Sequence, residues 1–191
     1  TLECMFESAA RAEQIDALRD RIRGMERTKL DDRTLPTSTA LGDLLPGGAL
    51  VVGGSYAVDG STALALELLR EPSRSGMWCA IVGMPDVGVE AAAALGVDLD
   101  RLVLVPQPGE QWFAALVDAV GVVLVQAPPR ARVGEAMASR LASRLRQREA
   151  ALVAMGSWPR AQAQLSVVES DWAGIGAGFG RLAARQVTVA S

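Results

Sequence analysis

Between Gly53 and Thr62 the chain reads Gly-Gly-Ser-Tyr-Ala-Val-Asp-Gly-Ser-Thr, with an apolar run before it and a helical pattern after it. Strand, glycine-rich loop, glycine, hydroxyl residue and helix is the context in which backbone N–H groups cradle phosphates. In a working loop a lysine reaches the β- and γ-phosphates, and a Ser or Thr hydroxyl holds magnesium. Here Gly54, Gly60 and Thr62 fit the pattern, but Ser61 stands at the lysine position. Five residues separate Gly54 from Gly60 instead of four, and Asp59 adds a negative charge. Losing a charge-assisted hydrogen bond costs roughly 1.5–3 kcal/mol. A carboxylate about 4 Å from a phosphate charge repels it by about 4 kcal/mol at an effective dielectric near 20. A helix N-terminus returns only about 0.3–1 kcal/mol. The losses exceed the gain, so the stretch is expected to be a relic with no useful ATP affinity, and no cofactor or metal is expected. The same residues also read as a plain strand-to-helix turn.

Other chemistry is removed by composition. The chain has no histidine, which excludes His-based triads, His acid–base work and most zinc sites. Its single lysine, Lys29, lies far from the glycine-rich stretch, and the other basic residues are arginines. A net charge of −3 gives no global attraction to nucleic acid, so a contact with it would need a local patch. Cys4 and Cys79 make no disulfide framework, no apolar run approaches the roughly 20 residues of a membrane span, and residues 1–11 do not read as a signal peptide. A reducing cytoplasm is the expected location.

The elements that would position these residues follow from periodicity. Half of the 191 residues are hydrophobic, enough for a real core in one domain. Short apolar runs at 49–53, 77–82, 101–105, 121–126 and 150–155 alternate with helical stretches at 61–70, 89–95, 110–120 and 133–149. That alternation predicts an α/β fold with a mainly parallel sheet covered by helices. Runs at 164–169 and 182–189, joined by a glycine-rich turn over 174–180, predict an antiparallel ending. Residues 1–28 read as a helix, 29–40 as a linker and 41–191 as the core. In the helix Phe6 belongs to a second apolar set, and Ile15, Leu18, Ile22 and Met25 are spaced 3, 4 and 3, one apolar seam. The seam docks either on its own core or on another molecule.

Leu95-Gly96-Val97-Asp98-Leu99-Asp100-Arg101-Leu102 followed by Gln107-Pro108-Gly109-Glu110-Gln111 resembles the RecA family. Its recombinases carry LGVD-[IL]-D-x-L, then QP, two more residues and GEQ; this chain lacks those two. The likeness spans about 35–155 and implies a RecA-like core. Where RecA has a magnesium-supporting aspartate at a strand end, this chain has Gln126. Ungapped counting puts Met84 at the position of the family's catalytic glutamate, with Asp86 and Glu90 nearby. Narrower features resemble the actinobacterial ImuA-type branch: Leu45-Pro46-Gly47-Gly48, Trp172, Gly180-Arg181-Leu182 and Val187-Thr188-Val189. That resemblance implies a pseudo-ATPase of a translesion-synthesis mutasome. Its implied partners are an ImuB-like Y-family polymerase homologue and an error-prone replicative-type polymerase. The resemblance also implies self-association through the N-terminal helix. The alternatives are a DNA-dependent ATPase with an atypical loop and a RecA-like cell-division inhibitor.

Arginines supply the remaining candidates. Arg130 and Arg132 lie where RecA has a DNA-binding loop, and Arg140, Arg144 and Arg148 form one stripe at helical spacing. The stripe reads as a phosphate or acidic-partner contact or as a solvated helix face. Without interleaved aromatics to stack on bases, at most weak DNA binding is expected.

Overall fold

The structure is a computed structural model and describes residues 34–108, 118–126, 133–176 and 179–191. The predicted N-terminal helix with Phe6, Ile15, Leu18, Ile22 and Met25 lies outside the described residues, as do Arg130 and Arg132.

Two short strands, β1 (Thr34–Leu35) and β2 (Leu50–Val51), pair antiparallel around a one-turn helix α1 (Thr39–Gly42). Then follow β3 (Ser55–Asp59), helix α2 (Thr62–Arg74), β4 (Cys79–Val82), helix α3 (Val89–Leu95) and β5 (Leu102–Val105). The chain continues through β6 (Val122–Val125), helix α4 (Glu135–Gln147), β7 (Ala151–Met155), β8 (Ala163–Gly176) and β9 (Phe179–Ala190). The main sheet has the order β5-β4-β6-β7-β3-β8-β9, parallel except between β8 and β9. The expected α/β class, mainly parallel sheet and antiparallel ending are therefore present.

The central strands are buried on both faces, as their continuous apolar runs require. Alternate residues serve different layers. Tyr56, Val58, Ile81, Leu124 and Val153 face the layer that holds Leu64, Leu68 and Leu69 of α2 and Ala92 of α3. Ala57, Val82, Val123, Val125 and Leu152 face the layer under Leu141 and Leu145 of α4. Each fully buried Leu or Val contributes roughly 1.5–3 kcal/mol by leaving water. Placing α2 and α3 on one face and α4 on the other is what right-handed crossovers demand when the chain first moves one way along the sheet and then returns.

Three expectations need correction. The first sheet strand is not 49–53. Leu50–Val51 pairs with Thr34–Leu35, and the sheet strand is Ser55–Asp59, read from sequence as loop. Thr34 and Leu35 are not linker, because Leu35 is buried in the main core. The connection between the last two strands is shorter than the expected 174–180: β8 runs to Gly176 and β9 starts at Phe179. Gly174, Gly176, Gly178 and Gly180 alternate with other residues, which is also the period of a strand.

Candidate functional site

In an open parallel sheet, ligands bind beyond the carboxyl ends of the strands, where neighbouring crossovers leave for opposite faces. Here that place is between β4, whose crossover carries α3, and β6, whose crossover carries α4. Met84 follows β4 and Gln126 follows β6. Gly83 has φ +73°, and a Cβ there would run into the carbonyl oxygen of Gln126. The Gly83 N–H donates to the Val105 carbonyl at 2.9 Å, and the Gln126 N–H to the Val82 carbonyl at 2.9 Å. Backbone of Gly83 and Gln126 is thus in close contact at the ends of β4 and β6. Met84 is buried in the core cluster with its side chain among apolar neighbours, whereas Gln126 is exposed.

The stretch expected as a relic loop is divided by β3. Gly54 lies before that strand and Gly60 after it, so the two glycines stand at opposite ends of β3, roughly 20 Å apart at about 3.3 Å per residue. The Gly54 N–H donates to the Val51 carbonyl at 2.8 Å, and its own carbonyl accepts from the Leu152 N–H at 3.0 Å. Tyr56, midway along the supposed loop, is fully buried; its hydroxyl accepts from the Val51 N–H at 2.7 Å. Burial raises its pKa to about 12. Asp59 ends the strand, exposed, in register with Ser166. Only Gly60 and Ser61 remain to connect strand and helix. Gly60 takes φ +70°, and buried Ser61 is the helix cap, its Oγ accepting from the Leu64 N–H at 3.2 Å. Thr62 is the first, exposed residue of α2. The structure brings Asp59, Gly60, Ser61, Thr62, Met84 and Gln126 to one end of the parallel strands and leaves Gly54 at the other. Among the described residues, no group of three or more Cys, Asp or Glu side chains is placed to hold a metal ion.

The arginine stripe has a structural occupation. Arg144 donates from Nε to Oδ1 of Asp118 at 2.8 Å and from Nη2 to Oδ2 at 2.6 Å, the two-pronged geometry that guanidinium and carboxylate favour. Arg148 adds Nε to Oδ1 at 3.2 Å. These hydrogen bonds and charges, that of Arg144 foremost, hold the Asp118 carboxyl down at about 2. The pair ties the end of α4 to the turn before β6. Arg140 is exposed on the same helix. Cys79 is fully buried, which pushes its thiol up to about 12 and leaves it unreactive.

At the other end of the strands a cleft of about 300 Å³ is lined by residues including Thr34, Met77, Gly121, Arg148 and Glu149. Its lining offers the Glu149 carboxylate, the Thr34 hydroxyl and an arginine already engaged by Asp118.

Sequence reasoning placed the antiparallel ending but not its length. β3 pairs with β8 only as far as Asp59–Ser166, yet β8 and β9 remain paired out to Gly176–Phe179. Residues 167–176 with their β9 partners form a ribbon about 33 Å long at roughly 3.3 Å per residue. On it Arg185 stacks over the Trp172 ring at 5.0 Å and donates from Nε to Ser170 Oγ at 2.8 Å. Trp172 stays 54% exposed and Val168 61%. Alternation in Val167–Trp172 and Arg185–Val189 was the available signal.

A family model described as the MT3502 N-terminal domain matches residues 43–160. The chain belongs to that family. The uncharacterized protein Rv3395c of Mycobacterium tuberculosis is 31% identical over 179 residues, covering 91% of this chain and 77% of the relative. The crystal structure of SulA from Pseudomonas aeruginosa overlaps with a TM-score of 0.42 at 18% identity, over 55% of this chain and 97% of SulA. The family match takes in β2 to β7 with Gly83 and Gln126 and stops before the ribbon. No helix among the described residues is long and apolar enough to cross a membrane.

Proposed function

We propose that this protein is a non-catalytic RecA-like accessory subunit of a translesion-synthesis assembly, working by protein contact during the response to DNA damage. The reading rests on the RecA-like text over 95–111 and the ImuA-type features together with one structural observation. That observation is the crossing from β3 to α2, shortened to Gly60 and Ser61, with the Ser61 hydroxyl committed to the helix cap. A phosphate cradle needs several free backbone N–H groups on a loop that bows around the ligand. Two residues cannot supply it. The implied partner is an ImuB-like Y-family polymerase homologue, with an error-prone replicative-type polymerase beyond it, in the cytoplasm. DNA binding is weak or absent, since two arginines of the candidate stripe are spent on Asp118.

Titration with ATP and magnesium, followed by co-purification with the Y-family homologue, tests this. Expected are no nucleotide binding at micromolar concentrations and a stoichiometric complex. Micromolar ATP binding with turnover overturns the non-catalytic reading, and failure to hold the homologue overturns the scaffold.

A further inference from the structure

We infer that the apolar seam of the N-terminal stretch seats on its own chain, Ile22 and Met25 filling the cleft at the amino ends of the sheet strands. The cleft is built from residues that lead into those strands. Val52 stands before β3, Met77 before β4, Gly121 before β6 and Glu149 before β7. Its walls are apolar: Leu35 belongs to the core cluster, and Val52 and Met77 are only partly buried against it. The backbone at Gly121 is already paired. Its N–H donates to the Trp78 carbonyl at 2.8 Å, and its carbonyl accepts from the Ala151 N–H at 2.9 Å. Apolar contact is therefore what this part of the cleft offers an occupant.

Chain connectivity selects the occupant. Thr34 itself lines the cleft, so residues 1–33 lead straight into it. Residues 26–33 are all that separates Met25 from Thr34. Stretched, that tether spans at most about 30 Å at roughly 3.3–3.6 Å per residue, and looping it back carries a small entropic cost. A short tether holds its far end at an effective concentration in the millimolar range. A second copy at micromolar concentration is outcompeted for the same walls. The seam in turn gains by leaving water. A second observation lies on the rim. Glu149 follows α4 with φ +54°. The Ala150 N–H donates to the Leu145 carbonyl at 2.9 Å, a helix ending that ordinarily places glycine at this position. A side chain there is strained. It is an exposed carboxylate with no ion-pair partner among the described residues. Arg27, Lys29 and Arg33 of the tether supply the charge it lacks. While seated, the seam is withheld from the self-association that the RecA resemblance implies, so the contact is autoinhibitory.

Maleimide labelling of an introduced thiol in the full chain reads the cleft. Cys4→Ser removes one native thiol, and Cys79 is fully buried. In that background Val52→Cys reports on the cleft, and Val168→Cys, at a position 61% exposed, is the reference. The thiol at position 52 should react about tenfold more slowly than that at 168, at any protein concentration, since it reacts only while the seam is lifted. Ile22→Asp with Met25→Asp should bring position 52 up to the reference rate and leave position 168 unchanged. Glu149→Lys, which keeps the seam intact, should also speed position 52. Cys79 remaining unlabelled reports that the core is folded. The inference is overturned by a rate at position 52 that the aspartates leave unchanged, or by protection that fades on dilution, which would give the cleft to a second copy. Should Cys79 react in the aspartate variant, Glu149→Lys and the dilution series decide, and an unchanged rate in Glu149→Lys overturns the inference. No polymerase homologue takes part in the measurement, so this inference and the proposed scaffold fail separately.

Discussion

The sheet body and the ribbon treat polar groups in opposite ways. In the body, groups that could do chemistry are used for structure. Ser61 caps α2, Ser73 accepts from the Asp98 N–H at 2.8 Å, Tyr56 accepts from Val51, and Asp118 is gripped by Arg144 and Arg148. No buried side-chain polar atom among the described residues lacks a partner. On the ribbon, Glu169 and Asp171 stand exposed beside Val168 and Trp172. A satisfied interior holds a shape, whereas exposed side chains in water add little to it. Substitutions in the body should therefore change stability, and substitutions at Glu169 and Asp171 should leave it nearly unchanged.

The largest effect should come from Gly83→Ala. It places a methyl group against the Gln126 carbonyl oxygen and forces a side-chain-bearing residue into φ +73°. Strain of this kind costs of order 1–3 kcal/mol at one residue, before any shift of β6 is counted. Urea unfolding should show a lower midpoint at unchanged slope; an unaltered midpoint would mean that the backbone of Gly83 and Gln126 is not held in close contact. Next is Ser61→Ala, which removes the α2 cap and should cost about 1 kcal/mol. Ser61→Lys restores the residue a phosphate loop would carry and should still bind no ATP by calorimetry. Nucleotide binding by that variant would show that a single side chain, rather than the short crossing, had closed the site.

These two positions also show what the sequence could and could not reveal. Strand and helix types came from periodicity, and α3 at 89–95 is where the alanine-rich pattern put it. The loop misreading arose from glycine. Gly53, Gly54 and Gly60 resemble a phosphate loop in spacing, but Tyr56, Ala57 and Val58 between them are a buried strand, Tyr56 and Val58 facing one layer and Ala57 the other. Three residues are too few for alternation to outweigh flanking glycines, and only the pairing with β7 and β8 settles their state. The extension of the last two strands toward each other was hidden for the same reason, since glycine at every second place over 174–180 lacks the hydrophobic signal on which strand recognition depends. The arginine stripe was legible as a stripe, but its carboxylate partner is 26 residues from Arg144 in sequence.

The smallest effect is expected at that carboxylate, and its sign is fixed by pH. Arg144 and Arg148 lower the Asp118 pKa from 3.8 to about 2 in the folded chain, while the unfolded chain keeps the ordinary value. The folded form therefore releases the proton more readily, and the pair stabilises above about pH 4, losing its contribution as pH falls toward 2. Asp118→Asn should lower the melting temperature slightly at pH 7 and have progressively less effect as pH falls through that window, because the parent carboxylate is then protonated too. The difference at neutral pH should shrink in high salt, as expected of a partly exposed pair. A difference that persists unchanged at pH 2 would assign the anchoring of α4 to packing by Leu141 and Leu145 rather than to charge.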